Sequence, residues 1–368
     1  METLAALEPS PFPVISLYLN LTSNQNGREE HQQFVRKVFN ERAKGLPEES
    51  PERESFDKDT TRIQAYLEKN NAAEGQALAI FACTGSDLFE AIPLEAPIGE
   101  HSLFISSVPH LYPLAKLVEN CPRYAAVMLD TNKARIFVFG TSTEREETVV
   151  GEKTRRTSQG GWSQARYQRR ADNFHTLHIK EVVDTLDKIV REEGIQQVVV
   201  AGADVAMPIL REQLPKHLSD KIIEIGAHED GESGSFVQRT MAALREKDAE
   251  TDVEKVQELM DAWKSGGLGV AGPEATLSAF QLGQVEELII TATPESLKPV
   301  QNMPEDSAPG DVQVVTSNPG GTTDEGRLKL SGELVTRAQQ TAARIRFIED
   351  ASLLADVGGV GALLRFRI

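Results

Sequence analysis

The residues best suited to chemistry lie between Lys153 and Arg170, in the stretch KTRRTSQGGWSQARYQRR. Lys153, Arg155, Arg156, Arg166, Arg169 and Arg170 supply six cations and no acid interrupts them, in a chain whose net charge is −17. A local reversal of sign suits a polyphosphate, RNA above all. Each cation can neutralise a phosphate and release counterions, so binding should weaken as salt rises. Trp162 and Tyr167 can stack on unpaired bases. Gly160 and Gly161 permit positive φ and close approach of backbone to a ligand. Gln164 carries no titrating group: its amide can orient a water or a hydroxyl but cannot act as a strong base. The plainer alternative is a solvated loop whose charges meet nothing specific.

The other constellations are weaker. Asp172, His175 and His178 have ligand types for a metal, yet the histidines are three apart and no further ligands cluster with them. A helix start stabilised by Asp172, with His178 on the packed face, explains the same residues. Gly266-Gly267-Leu268-Gly269 lacks the Gly-Lys-Ser/Thr of a phosphate-binding loop. Gly358-Gly359-Val360-Gly361 leads into a strand rather than a helix, unlike a dinucleotide fingerprint. Both read as tight turns. Cys83 and Cys121 are the only cysteines, which argues against a disulfide framework or a structural zinc. No metal and no cofactor is expected.

The elements that must position the basic stretch follow from patterning. At 368 residues, 40% hydrophobic and 26% charged, the chain has the make-up of a globular protein of two or three domains. The N-terminus lacks a basic region and is broken by Pro11 and Pro13, so it does not read as a signal peptide. No window nears 18 uninterrupted apolar residues, so no membrane partner is expected and the cytoplasm is the default. Residues 14–19 read as a strand, 29–44 and 60–69 as helices, and 77–82 and 102–105 as strands. Next come a hairpin over 124–139, the basic loop, and a helix over 172–193 with Phe174, Leu177, His178, Val182, Leu186 and Val190 at steps of three and four. A strand over 197–202, a helix over 205–214 and a strand over 222–225 complete that unit. Helices are expected over 235–264, 274–282 and 333–341, and strands over 285–290, 344–348 and 363–367. The fold class is therefore α/β, in three small α/β domains. Residues 1–120 form a divergent N-terminal domain. Residues 121–235 form a middle domain, a mixed sheet with a protruding basic loop. Residues 236–368 form a C-terminal α/β/α layer domain with a flexible insert at about 301–332, whose one apolar island is Val312, Val314 and Val315.

Hairpin, basic loop with Gly160, Gly161 and Gln164, and long helix, in that order, resemble the middle domain of the archaeo-eukaryotic class-1 release factors and Pelota, in their bacterial branch. Residues 269–290 and the closing 358–366 resemble that superfamily's C-terminal domain. The family's working group is Gly-Gly-Gln on a mobile loop, whose glutamine positions water at the ester joining peptide to transfer RNA. Here Trp162 and Ser163 stand between Gly161 and Gln164, a Gly-x-x-Gln form similar to the peptidyl-tRNA hydrolases of ribosome quality control. The resemblance implies Gly161 and Gln164 as the catalytic pair. It implies RNA contacts by Lys153, Arg155, Arg156, Gly160, Trp162, Arg166, Tyr167, Arg169 and Arg170.

The implied function is hydrolysis of peptidyl-tRNA in the rescue of stalled ribosomes, with rRNA and tRNA as partners and a translational GTPase as a further partner. An alternative stays open: a non-catalytic hibernation factor, similar to Balon-like proteins, that occupies the tRNA site. A general RNA-binding protein or nuclease is a third reading, without an acid cluster to hold magnesium. DNA is not an expected partner.

Overall fold

The computed structural model describes residues 1–22, 30–69, 76–94, 98–120, 123–140, 145–150, 164–226, 233–300, 313–317 and 324–367. In chain order the first elements are α1 (Glu2–Ala5), β1 (Val14–Asn20), α2 (His31–Lys44), α3 (Pro51–Lys69), β2 (Ala77–Cys83), β3 (Leu88–Leu94), β4 (Ser102–Ser106) and α4 (Tyr112–Asn120). There follow β5 (Tyr124–Leu129), β6 (Lys133–Phe139), β7 (Arg145–Val150), α5 (Gln164–Glu192), β8 (Gln197–Gly202), α6 (Ala206–Gln213), α7 (Lys216–Ser219), β9 (Ile222–Ile225) and α8 (Ser233–Lys264). The last are β10 (Gly269–Ala271), α9 (Pro273–Gln281), β11 (Val285–Thr291), β12 (Gln313–Thr316), α10 (Glu325–Gln340), β13 (Arg344–Ile348) and β14 (Val360–Leu364). They gather into two compact units, Met1–Cys121 with Thr251–Ile368, and Pro122–Glu250.

The first unit holds two sheets. One has the order β12-β4-β1-β2-β3, the other β10-β14-β11-β13. In β1, alternate residues face opposite sides, as strand geometry requires. Ile15, Leu17 and Leu19 pack with Phe34, Val38, Phe56 and Ile63 of α2 and α3. Tyr18 points the other way, into a core that it shares with Leu277, Leu288, Leu334 and Leu364. The N-terminal and C-terminal segments of this unit thus bury one another's apolar side chains. Tyr18 donates its hydroxyl to the His110 carbonyl at 2.7 Å and meets Phe81 and Phe104 edge-on.

Several elements differ from their sequence expectation. Helix α3 begins at Pro51, not near residue 60, because proline is at home in a first turn and Glu52 and Glu54 complement the helix dipole there. Strand β3 was not expected: Glu90 and Pro93 interrupt its pattern, and Pro93 is tolerated because β3 is an edge strand paired only to β2. Helix α10 starts at Glu325, eight residues ahead of the expected Glu333, with Asp324 accepting the Gly326 N–H at 3.0 Å as its cap. Val314 and Val315 of the insert's apolar island lie in β12, an antiparallel edge strand on β4, and Val312 lies outside the described residues. Arg42 donates to the Gln313 side chain at 3.2 Å and to the Val314 carbonyl at 3.1 Å, and the His101 N–H donates to Ser317 Oγ at 3.1 Å.

Candidate nucleic-acid interface

The second unit is a mixed sheet of order β7-β6-β5-β8-β9. Strands β5, β6 and β7 form an antiparallel meander, and β8 and β9 run parallel to β5. Helices α5 and α6 cover one face through Ile179, Val182, Val183, Leu186, Ile189, Met207 and Leu210. Phe236 and Leu244 of α8 cover the other, against Tyr124, Ala126 and Val199. The basic stretch joins the edge strand β7 to α5.

Lys153, Arg155, Arg156, Gly160, Gly161 and Trp162 lie outside the described residues. Gln164, Arg166, Tyr167, Arg169 and Arg170 belong to the backbone of α5, which starts at Gln164. The expected loop through Arg170 and helix start at Asp172 are corrected accordingly. After Gly161 the sequence QARYQRRAD contains neither glycine nor proline and is rich in good helix formers, so the helix extends back to the glutamine.

Downstream, α5 is fixed firmly. His178 is 3% exposed and faces the core, as expected. Burial pushes its imidazole below the ordinary histidine range, with Glu181 and Asp130 opposing, so the ring is neutral. Leu177 was expected on the packed face but is 63% exposed; Ile179 and Val183 take that place. His178, Val182, Leu186 and Val190 of the expected stripe are buried as expected, and Ile179, Val183 and Ile189 widen it. Among the described residues no group of three or more His, Cys, Asp or Glu side chains could hold a metal. None of their helices is long and apolar enough to cross a membrane.

Sequence reasoning missed the side chains that brace this frame. Asp187 of α5 takes a hydrogen bond from His217 of α7 at 2.7 Å and an ion pair from Arg191 at 2.7 Å. The His217 bond, with Arg191 beside it, holds the Asp187 carboxyl below the usual range. At the root of β7, Arg135 pairs with Glu146 at 2.8 Å and its guanidinium lies 4.8 Å from the Phe137 ring centre. His217 stands 30 positions from Asp187 and Glu146 stands 11 from Arg135, and only the α5–α7 approach and the sheet register bring those partners together. None carries a nucleophile. They brace α5 and β7, the two elements that the basic stretch joins in sequence.

Residues 109–246 match the family model of bacterial archaeo-eukaryotic release factor family 10. That segment is release-factor-like. It takes in the hairpin, the basic stretch and α5, the residues on which the kinship to the bacterial branch was expected; the C-terminal segment lies outside it. No curated protein matches the chain. Solved structures resemble it remotely. The archaeal translation termination factor aRF1 shares 15% identity, covering 97% of this chain and 94% of that one, at a TM-score of 0.26. Dom34 of S. cerevisiae, described as a translation termination-like factor involved in RNA quality control and interacting with Hbs1, shares 10% over 76% of this chain and 73% of its own, at 0.43. A chain in a model of ribosome-bound archaeal Pelota and ABCE1 shares 12% over 100% and 93%, also at 0.43.

Proposed function

We propose that this release-factor-like protein acts on the ribosome, where it hydrolyses the peptidyl-tRNA ester of stalled complexes. The observation that carries the reading is that the release-factor match spans the whole six-cation stretch of an otherwise acidic chain. The cations anchor the segment on rRNA and tRNA phosphates, while the acidic remainder avoids RNA elsewhere. Ester hydrolysis in such a centre needs a placed water and polarising hydrogen bonds more than a strong base. The Gln164 side-chain carbonyl accepts a hydrogen bond from the water and aims its oxygen at the ester carbon. The carbon–oxygen bond to the tRNA breaks, the peptide keeps the water's hydroxyl, and the second proton passes to the leaving tRNA hydroxyl. Gly160 and Gly161 allow the backbone to approach. The protein works in the cytoplasm, and a translational GTPase delivers it.

A second reading, a non-catalytic occupant of the tRNA site, is favoured by one observation. Trp162 and Ser163 separate Gly161 from Gln164, and Gln164 is the first residue of a helix. Ribosome pelleting with a parallel peptide-release readout distinguishes the two. Hydrolysis predicts release by the wild type and its loss in Gln164→Ala. Binding without release, indifferent to Gln164, points to the occupant. Exchange of Arg155, Arg156, Arg169 and Arg170 for Glu abolishes pelleting under both readings, and pelleting that survives this exchange overturns both.

A further inference from the structure

Among the described residues of the first unit six large apolar side chains are exposed, and four of them stand at one end of the sheet β10-β14-β11-β13. Trp263 lies in the last turn of α8, Leu268 precedes β10, Leu282 follows α9 and Phe366 follows β14. Backbone hydrogen bonds tie these turns together. The Gly266 N–H donates to the Trp263 carbonyl at 3.1 Å, the Leu364 N–H to the Leu268 carbonyl at 3.0 Å, and the Arg365 N–H to the Gln284 carbonyl at 2.7 Å. The four side chains are 43%, 47%, 55% and 46% exposed. One exposed leucine is ordinary, whereas a group of this kind rimmed by charge marks a contact surface.

Three cations form the rim, and none meets an acid among the described residues. Arg365 donates to the carbonyls of Thr341 and Ala342 at 3.1 and 3.2 Å, and Arg367 to those of Gly266 and Gly267. Carbonyls orient a guanidinium without cancelling its charge. Lys264, the last residue of α8, makes no hydrogen bond or ion pair among the described residues. The acids close by are engaged elsewhere: Glu286 pairs with Arg344 at 3.0 Å, and Asp261 accepts from Gln257, a turn back along α8, at 2.8 Å. In a chain of net charge −17 this is a second local reversal of sign.

We propose that this end of the sheet is a docking surface for an acidic segment of another protein, one whose carboxylates alternate with apolar side chains. The apolar side chains bury against Trp263 and Phe366, while the carboxylates meet Lys264, Arg365 and Arg367. Tryptophan and arginine are the side chains that most often dominate the energy of protein interfaces. RNA fits less well, because Leu268 and Leu282 offer no ring on which a base could stack. A second copy fits less well too, because a two-fold contact would set these cations against their own duplicates. The surface goes beyond the function proposed for the basic stretch and does not depend on it.

The test uses the full chain carrying Trp162→Phe, which leaves Trp263 as its only tryptophan. Short peptides in which Glu alternates with Leu and Phe are titrated against it. They should bind, bind more weakly as salt rises, and shift the Trp263 emission to the blue as the ring leaves water. Phe366→Ser and Lys264→Glu should each weaken binding roughly tenfold or more, with urea denaturation unchanged because both side chains are exposed. Peptides with Lys in place of Glu should not bind. Failure of the acidic peptides to bind, binding that both variants leave intact, or equal binding of the lysine peptides overturns the proposal. So does oligouridine binding that Phe366→Ser removes, which would assign the surface to RNA, or a dimer in sedimentation that the same variant dissolves.

Discussion

Gly332 sits inside α10, where alanine ordinarily stabilises a helix by about 1 kcal/mol over glycine. Here the sign should reverse. A Cβ on Gly332 would lie 2.7 Å from His110 Nδ1 and 3.0 Å from its Cε1. The imidazole cannot step aside: it is stacked on Phe104 at 4.1 Å between ring centres and is 3% exposed. Its backbone is held as well, the N–H donating to Ser16 Oγ at 3.0 Å and the carbonyl receiving the Tyr18 hydroxyl at 2.7 Å. Overpacking of this kind costs about 1–3 kcal/mol. Gly332→Ala should therefore lower the unfolding free energy by about 1–2 kcal/mol rather than raise it. Urea denaturation of the full chain measures this, and a double-mutant cycle assigns the cause. In a His110→Ala background the clash is gone, and Gly332→Ala should become neutral or stabilising. A Gly332→Ala protein as stable as the wild type, or a cost that persists without the imidazole, would refute the reasoning.

Three further outcomes follow from the geometry. Ala342, just past the end of α10, is exposed with φ 50, a conformation that favours glycine. Ala342→Gly should raise stability by about 0.5–1 kcal/mol in the same urea assay; destabilisation would contradict the left-handed turn. Burial holds His110 down at about 3, far below the 6.5 of a free imidazole. Its contribution is whole above pH 6.5 and is lost as pH falls toward 3, at no more than about 1.4 kcal/mol per pH unit. Acid titration of stability should be correspondingly shallower in His110→Asn. Finally, Leu177→Asp should be nearly silent in thermal unfolding, whereas Leu186→Asp, on the buried side of the same helix, should unfold the second unit.

The sequence was most legible where periodicity is strong and turns are explicit. The hairpin over 124–139, the run 197–202 and the helix from Pro273 needed no tertiary information, because their apolar spacing and bounding turns agree. The basic segment stood out for a similar reason, as a reversal of sign. Residues whose role depends on distant chain were opaque. Glu90 and Pro93 argue against a strand until β3 is seen to be an edge. Arg365 and Arg367, part of the closing run, look like free surface cations. The fold turns them onto helix ends, Arg365 to the carbonyls of Thr341 and Ala342 at 3.1 and 3.2 Å and Arg367 to those of Gly266 and Gly267. Val314 and Val315 looked like an island in a polar insert because the strand they pair with lies in the opposite half of the sequence.

That last pairing has a consequence for how the protein comes into being. The bond between Arg42 and Gln313 spans 271 residues, and that between His101 and Ser317 spans 216. A chain emerging from its own synthesis can complete the sheet of Pro122–Glu250 from neighbouring sequence. In the first hundred residues the face of β1 turned to α2 and α3 is covered locally, but the face that carries Tyr18 must wait, its apolar side chains uncovered, until the C-terminal segment with α10 has been made. Newborn chains should pass through a long interval in which the N-terminal portion needs shelter and the middle portion is already finished.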